Sequence, residues 1–152
     1  MSDPITFVST SPRYELPLLF AGQSQKEFFV NEAHARLDAL LHPAVEGETN
    51  DPPASPAEGE CWLVADAPTG AWEGHAGSLA CWSANDWLFI APRAGMRLYD
   101  LLSGQMRLYR GGAWSIAEPP TVPSGGTMVD AEARAAIAGL RAALAAAGIV
   151  PG

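Results

Sequence analysis

The spacing of hydrophobic and polar residues changes along the chain. Near the beginning of the sequence it distinguishes an arm from the helix that follows. Residues 1–23 contain three prolines and no helical periodicity, which predicts an extended arm. Residues 24–42 place apolar side chains at helical spacing, and Pro43 ends the pattern. The positions that form this apolar face are Phe29, Ala33, Leu37, Leu40 and Leu41. A loop with four prolines follows at residues 43–60.

Residues 61–117 alternate in the way that strands do. The runs "SLACWS" and "DWLFIA" flank Ala84-Asn85, and "MRLYDLL" and "QMRLYR" flank Ser103-Gly104. Both arrangements are typical of β-hairpins. Further short strands are predicted at "CWLVA" and "GGAWSIA". Repeated hairpins with one aromatic residue per strand predict a small antiparallel sheet or barrel.

The end of the chain is helical again. Residues 118–128 form a Pro/Gly linker, and residues 129–147 predict an alanine-rich helix. Its apolar seam consists of Ala133, Ile137, Leu140, Leu144 and Ala147. A narrow seam suits packing on copies of the chain or on a partner, and equally on its own domain. The fold class is therefore α+β, mainly β, with an arm (1–23), a core domain (24–117), a linker (118–128) and an assembly helix (129–147).

The charge of the chain argues against several classes of partner. The formal charge is −8, which disfavours nucleic acid and anionic membranes. No apolar run approaches the roughly 18 residues of a membrane span, and we see no signal peptide. We therefore expect a soluble chain made in the cytoplasm. A basic stretch at residues 93–110 contrasts with the acidic loop 43–60; a solvated face is favoured there over contact with a neighbouring copy.

The motifs of common enzymes and metal sites are missing from the sequence. There is no nucleophile elbow and no phosphate loop. His34 and His42 are eight residues apart, too far for a helical zinc pair, and Cys61 and Cys81 are interpreted as two buried thiols. We expect no catalytic residue, cofactor or metal.

Aromatic and polar residues provide candidates for contact instead. Trp72 lies in a Gly-rich turn and is expected to be the exposed tryptophan, whereas the other four fit the alternation of the strands and are assigned to the core. A carbohydrate site that uses Trp72, with Tyr99 or Tyr109, is one interpretation.

A polar cluster stands at the start of the first helix: Gln23, Gln25, Lys26 and Asn31. Ser24 and Glu27 fit a capping box there. The polar side chains either close the helix onto the sheet or contact a neighbouring subunit. Together with Trp72, Ile137, Leu140 and Leu144, they are the predicted partner-interface residues.

An ordered series of motifs resembles one family. They are Leu18-Leu19, Gly22-Gln23, Gln25-Lys26, Asn31-Glu32-Ala33, Leu37-Asp38, Pro52-Pro53, Pro56, Gly59, Trp62, Gly70-x-Trp72, Trp87-x-Phe89 and Pro92-x-x-Gly95. Over about residues 12–115 the chain resembles an uncharacterised domain that prophages and gene transfer agents of alphaproteobacteria encode.

The resemblance implies a function in a virus-like particle. It implies a non-enzymatic adaptor, similar to a head spike base, that joins capsid protein to a host-binding spike or fibre protein and forms a homo-oligomer. The alternative is a carbohydrate-binding module of a fibre that contacts host polysaccharide. On either interpretation the chain is made in the cytoplasm and assembled into the particle.

Overall fold

The computed structural model describes residues 10–19, 26–127 and 129–151. The chain divides into two compact units, Met1–Pro92 and Arg93–Gly152. Each unit carries one helix and its own strands, and each is described by itself.

The first unit is a helix beside a small sheet. Its elements are α1 (Lys26–Leu40), β1 (Ala44–Val45), β2 (Glu48–Thr49), β3 (Cys61–Val64), a 3-10 turn (Gly70–Trp72), β4 (Leu79–Ser83) and β5 (Asp86–Ile90). The strands β2, β3, β4 and β5 are neighbours in this order. The β2–β3 pair is parallel and the other two pairs are antiparallel. Ala84 and Asn85 join β4 to β5 with φ of 54° and 61°, the left-handed conformation of a tight hairpin turn.

The two faces of this sheet have different compositions. Strand alternation places Leu63 and Leu79 on one face, where both are fully buried. The opposite face is aromatic. Val64, Ala80 and Trp72 form its buried centre, and Trp62, Trp87 and Phe89 pack against them.

Cys61 and Cys81 form a disulfide, which corrects the expectation of two reduced thiols. The residues are direct partners in the β3–β4 register, and their Cα atoms lie 4.1 Å apart. Twenty residues separate them in sequence, so the spacing gave no sign of the contact. The antiparallel β3–β4 register brings the two side chains together on the face that also carries Leu63 and Leu79.

The second unit is an antiparallel meander followed by a helix. Its elements are β6 (Arg97–Asp100), β7 (Gln105–Arg110), β8 (Ala113–Ile116) and α2 (Ala131–Ala146). Asp100 organises the β6–β7 turn by accepting the N–H groups of Leu102 and Ser103 at 3.0 and 3.2 Å. Residues 117–127 form neither helix nor strand.

Both ends of α2 are capped. The Asp130 carboxylate accepts the N–H of Ala133 at 2.9 Å. At the other end Gly148 has φ of 66°, and the N–H groups of Gly148 and Ile149 donate to Ala145 and Leu144 in a Schellman motif. The Gly148 carbonyl then accepts the N–H of Met106, and Val150 is buried, so the tail is fixed to the meander.

The predicted fold class, α+β and mainly β with two helices, is confirmed. The hairpins at Ala84-Asn85 and Ser103-Gly104 form as predicted. The strands belong to two small sheets, and neither closes into a barrel within the described residues. The parallel β2–β3 pair departs from the purely antiparallel sheet that the sequence predicted.

Candidate partner-binding surfaces

Helix α1 carries a polar stripe that faces segment 10–19. This part of the predicted extended arm folds back on itself, because Thr10 and Pro17 form an antiparallel bridge around the turn between them. Asn31, His34 and Asp38 follow one another at spacings of three and four residues, which places them on one side of a helix. Each of the three side chains hydrogen-bonds a residue of that segment. The segment is therefore held to the helix mainly by polar contacts.

Asp38 makes the largest number of these hydrogen bonds. Its buried carboxylate accepts the Ser11 hydroxyl at 2.6 Å and the N–H groups of Tyr14 and Arg13 at 2.7 and 3.0 Å. Hydrogen bonds to a carboxylate are stronger than those between neutral groups. These three donors fix the turn at residues 11–14 against the helix.

Arg13 of the same segment binds the C-terminal end of the helix. Its guanidinium donates to the carbonyl oxygens of Asp38, Ala39 and His42 at 3.1 to 3.2 Å. These carbonyls lie in and just beyond the last turn of α1, where no further helical N–H is available to them. A cation at this end also interacts favourably with the helix dipole.

Asn31 holds the other end of the segment. Its amide accepts the Leu19 N–H at 2.8 Å and donates to the Leu19 carbonyl at 2.9 Å. Nearby, His34 Nδ1 lies 2.9 Å from the carbonyl oxygen of Pro17. Asn31 thus holds segment 10–19 to the helix, which differs from the predicted closure of the helix onto the sheet, and its role toward a partner stays a prediction.

The apolar face that the spacing of α1 predicted points outward. Phe29 is 76% exposed and Leu37 is 51% exposed. Ala33, Leu40 and Leu41 are exposed as well. We call Phe29, Ala33, Leu37, Leu40 and Leu41 the α1 apolar stripe. Contiguous exposed apolar side chains of this kind are typical of protein-binding surfaces.

The polar cluster at the helix start lies largely outside the described residues. This holds for Gln23 and Gln25, and for Ser24 of the expected capping box. Lys26 begins α1, but neither its side chain nor that of Glu27 is described.

Trp72 is fully buried, and the expectation that it is exposed is wrong. The 3-10 turn folds its ring onto the aromatic face of the sheet. There it meets Trp87 edge-on, with ring centroids 5.1 Å apart and planes at 84°. Its indole N–H has no hydrogen-bond partner among the described residues. Trp72 is a core residue, so it does not offer a surface to a sugar or a partner.

The other tryptophans of the first unit are less buried than a core assignment implies. Trp62, Trp82 and Trp87 are each half-buried. Trp87 lies at the centre, with the rings of Trp62 and Trp82 at 5.9 and 4.9 Å. Beside this group, His75 stacks on Phe89 at 3.6 Å. The rings of Trp62, Trp82 and Trp87 on the aromatic face are therefore partly accessible to solvent, whereas Trp72 at its centre is not.

Helix α2 has no buried residue. Ile137 and Leu144 of its seam are half-buried, whereas Leu140 is 66% exposed. The seam is therefore partly covered at Ile137 and Leu144, whereas the Leu140 side chain points to solvent. Both possibilities left open for this helix, packing on its own domain and packing on a partner, stay compatible with that arrangement.

A cleft of about 570 Å³ lies between segment 10–19, α1 and the β4–β5 turn. Leu18, Leu19, Trp87 and Leu88 contribute apolar walls. Carboxylates occur at its edge, on Glu32, Glu58 and Asp86. All three already act within the chain, and Asp86 accepts the N–H of Trp87 at 2.8 Å. Glu58 accepts the N–H groups of Ala84 and Asn85, and Glu32 pairs with Arg36 at 2.8 Å.

The second unit contains a buried ion pair. Asp100 and Arg107 meet at 2.6 Å across the β6–β7 hairpin. Burial raises the pKa of the Asp100 carboxyl, but the hydrogen bonds and charge of Arg107 and the N–H of Ser103 outweigh it. The pKa of Asp100 therefore lies below its ordinary value, and the pair stabilises the hairpin.

The described parts of the chain lack a cluster of metal ligands and a membrane-spanning helix. Residues 10–19, 26–127 and 129–151 contain no group of three or more His, Cys, Asp or Glu residues placed to hold a metal ion. Neither helix, over its described residues, has the length and apolarity to cross a membrane.

Comparison with known proteins gave one family. A family model described as "Protein of unknown function (DUF2793)" matches residues 30–115, which is more than half of the chain. The match runs from within α1 to within β8 and spans the division between the two units. No curated protein matches the chain.

Proposed function

Since the chain belongs to the DUF2793 family, we propose that it is a non-enzymatic structural adaptor of a phage-like particle. In this role it joins capsid protein to a spike or fibre protein, as the base of a head spike does. Copies of the chain form an oligomer, and the adaptor reaches the particle after synthesis in the cytoplasm. The resemblance of its motifs to prophage and gene transfer agent sequences supports this placement in a phage-like particle.

The observation that carries the proposal is the α1 apolar stripe. A helix of a small domain normally turns its apolar side inward, because burial of a Leu or Phe side chain stabilises the fold by about 1.5–3 kcal/mol. Here the inward side is polar and binds segment 10–19, while Phe29 and Leu37 face solvent. Such a surface suits permanent contact with another protein better than catalysis on a small molecule.

Helix α2 supplies a second surface of the same kind. Leu140 projects from it, and Ile137 and Leu144 remain partly accessible. An adaptor needs at least two contact surfaces, one toward the particle and one toward the fibre or sister chains. The two helices provide them.

The proposal is tested by disrupting the stripe in cells that make particles. We expect Phe29→Glu/Leu37→Glu to fold and to be absent from purified particles, because both side chains are already exposed. The matched control is Leu101→Glu/Leu102→Glu, which changes two exposed leucines of the β6–β7 turn. Incorporation of the stripe variant at the wild-type level would contradict the proposal.

The carbohydrate alternative has lost its main residue. Trp72 is buried and the Tyr109 ring packs on Trp114 at 5.2 Å, so exposed Tyr99 is the one of these three aromatic residues that still faces solvent. No described feature favours a sugar over a protein on these residues. Titration with capsular polysaccharide remains the direct test, and saturable binding would restore this alternative.

A further inference from the structure

The Cys61–Cys81 disulfide lies beneath the residues that attach segment 10–19 to α1. Both cysteines are only 3% exposed. A cavity beside them has a volume of about 10 Å³, and Pro12 and Arg13 of the segment and Asp38 of α1 contribute to its walls. A space of this size holds about one water molecule, so a thiol reductant reaches the sulfur atoms only when the covering residues move.

The segment packs directly on the backbone that leads into β3. A Cβ atom added at Gly59 would lie 3.1 Å from side-chain atoms of both Pro12 and Arg13, which is closer than ordinary van der Waals contact. The Gly59 carbonyl oxygen lies 3.7 Å from Sγ of Cys61, and the Gly59 N–H donates to the carbonyl of Trp82 in β4. Gly59 therefore contacts both the segment and the strands that the disulfide joins.

Six hydrogen bonds hold the covering residues in place. The Asp38 carboxylate accepts three from residues 11–14, and Arg13 donates three to carbonyl oxygens at the end of α1. We call these six hydrogen bonds the Asp38 latch. A part of a fold that depends on a few polar contacts can open while the rest stays folded. Opening of the latch uncovers the side of the sheet that carries the two sulfur atoms.

We propose that Cys61–Cys81 is a thiol–disulfide exchange site whose redox state is coupled to the Asp38 latch. In the reduction, two thiols of a low-molecular-weight reductant become a disulfide, and the protein disulfide takes up the two electrons and two protons and becomes two thiols. The attacking thiolate reaches a sulfur atom when the latch is open. Reduction removes the covalent link between β3 and β4, on which the segment packs, so the reduced chain holds the segment less firmly.

The coupling makes the attachment of segment 10–19 sensitive to the redox surroundings. In a reducing compartment the chain carries two thiols and a loosened segment. Exchange with a low-molecular-weight disulfide restores the protein disulfide and fixes the segment on α1 again, because coupling between two equilibria is reciprocal. This coupling is a property of the single chain and does not depend on a role in a particle.

The first test is the rate at which dithiothreitol reduces the full chain, followed by thiol alkylation and mass spectrometry. We expect Asp38→Ala to be reduced at least about tenfold faster than the wild type, because loss of the latch raises the population of the open state. Arg13→Ala, which keeps the buried carboxylate, should be reduced at least about threefold faster. Glu32→Ala removes an exposed ion pair of the same helix and is the control, with a rate within about twofold of the wild type. A wild-type rate in either latch variant overturns the inference.

Two measurements separate opening of the latch from unfolding of the whole chain. The wild-type rate is expected to change less than about twofold up to about 1 M urea, since local opening exposes little surface. Val64→Ala weakens the same sheet from its aromatic face and should stay within about threefold of the wild-type rate. A rate that follows the urea dependence of global unfolding, or a Val64→Ala rate equal to that of Asp38→Ala, overturns the inference.

The reverse direction of the coupling is tested by hydrogen exchange measured with NMR. The N–H groups of Arg13 and Tyr14, which donate to Asp38, should exchange at least about tenfold faster in the reduced chain than in the oxidised chain. The N–H of Met106 in the second unit is hydrogen-bonded as well, and its exchange should not depend on the redox state. Equal exchange of Arg13 and Tyr14 in the two redox states, or an equal change at Met106, overturns the coupling.

Discussion

At the scale of single residues, Asp38 connects the sequence to the architecture of the first unit. Its carboxylate is buried and accepts three hydrogen bonds from residues 11–14. A helix position that places a carboxylate inside requires donors from elsewhere in the chain, because an uncompensated buried charge is strongly unfavourable. The Leu37-Asp38 motif in the sequence therefore marks the attachment point of segment 10–19.

We expect Asp38→Ala to lower the free energy of unfolding by about 3 kcal/mol, because three buried donors lose their acceptor. Urea unfolding followed by tryptophan fluorescence measures the effect. Glu32→Ala is the matched control on the same helix, where loss of the exposed pair with Arg36 should cost less than about 0.5 kcal/mol. Equal effects of the two substitutions would contradict the role assigned to Asp38.

The lowered pKa of Asp100 leads us to predict that the stability of the fold depends on pH. The pKa of its carboxyl is lower in the folded chain than its ordinary value of 3.8, so the folded state favours the charged form. The stabilisation is fully present above that value and is lost as the pH falls through the folded pKa. We expect thermal unfolding measured between about pH 5 and pH 2 to show a smaller loss on acidification for Asp100→Asn than for the wild type. Parallel curves for the two proteins would refute this.

The candidate residues differed in how far sequence could assign them. The pattern marked Asn31 as a polar group at the helix that either closes the helix onto the sheet or contacts a neighbouring subunit. Its observed contact is with the backbone of Leu19 in segment 10–19, a partner that the sequence did not indicate. Trp72 was misassigned because glycines on both sides are typical of a solvent-exposed turn. Whether such a turn folds back onto a sheet depends on space left by distant side chains, here Ala80 and Val64. Local sequence does not contain that information.

At the scale of elements, α1 shows what periodicity can and cannot predict. The spacing identified the helix and its apolar stripe correctly. Which side faces segment 10–19 was decided by the hydrogen bonds of Asn31, His34 and Asp38 with that segment. Polar residues with long-range partners can occupy an inner face, and their partners are not visible from the helix alone.

The β3–β4 pair carries a prediction of its own, because the Cys61–Cys81 disulfide closes a loop of about 20 residues. Cross-links of this length stabilise folded chains by about 3 kcal/mol, chiefly by restricting the unfolded state. We expect the oxidised chain to unfold at a clearly higher urea concentration than the chain treated with reductant. The variant Cys61→Ala/Cys81→Ala, which should not respond to reductant, is the control. Coincident transitions of oxidised and reduced wild type would contradict the prediction.

At the scale of the whole molecule, two compact units carry different surfaces. The first unit has the α1 apolar stripe and 13 of the 17 acidic residues, and the second has the seam of α2 and six of the nine basic residues. Composition revealed the excess of acid but not its division, since a single net charge averages the two units. Exposed apolar side chains on both helices of one small chain are what the proposed role in a larger assembly requires.

The central claim is that the chain is a structural part of a particle, and its most direct test is quantitative mass spectrometry of density-purified particles. The chain is measured against the major capsid protein of the same particles. The account predicts a fixed, low copy number, a small multiple of the number of vertices or one ring at a single position. Absence from purified particles, or an amount that varies from one preparation to the next, would contradict it.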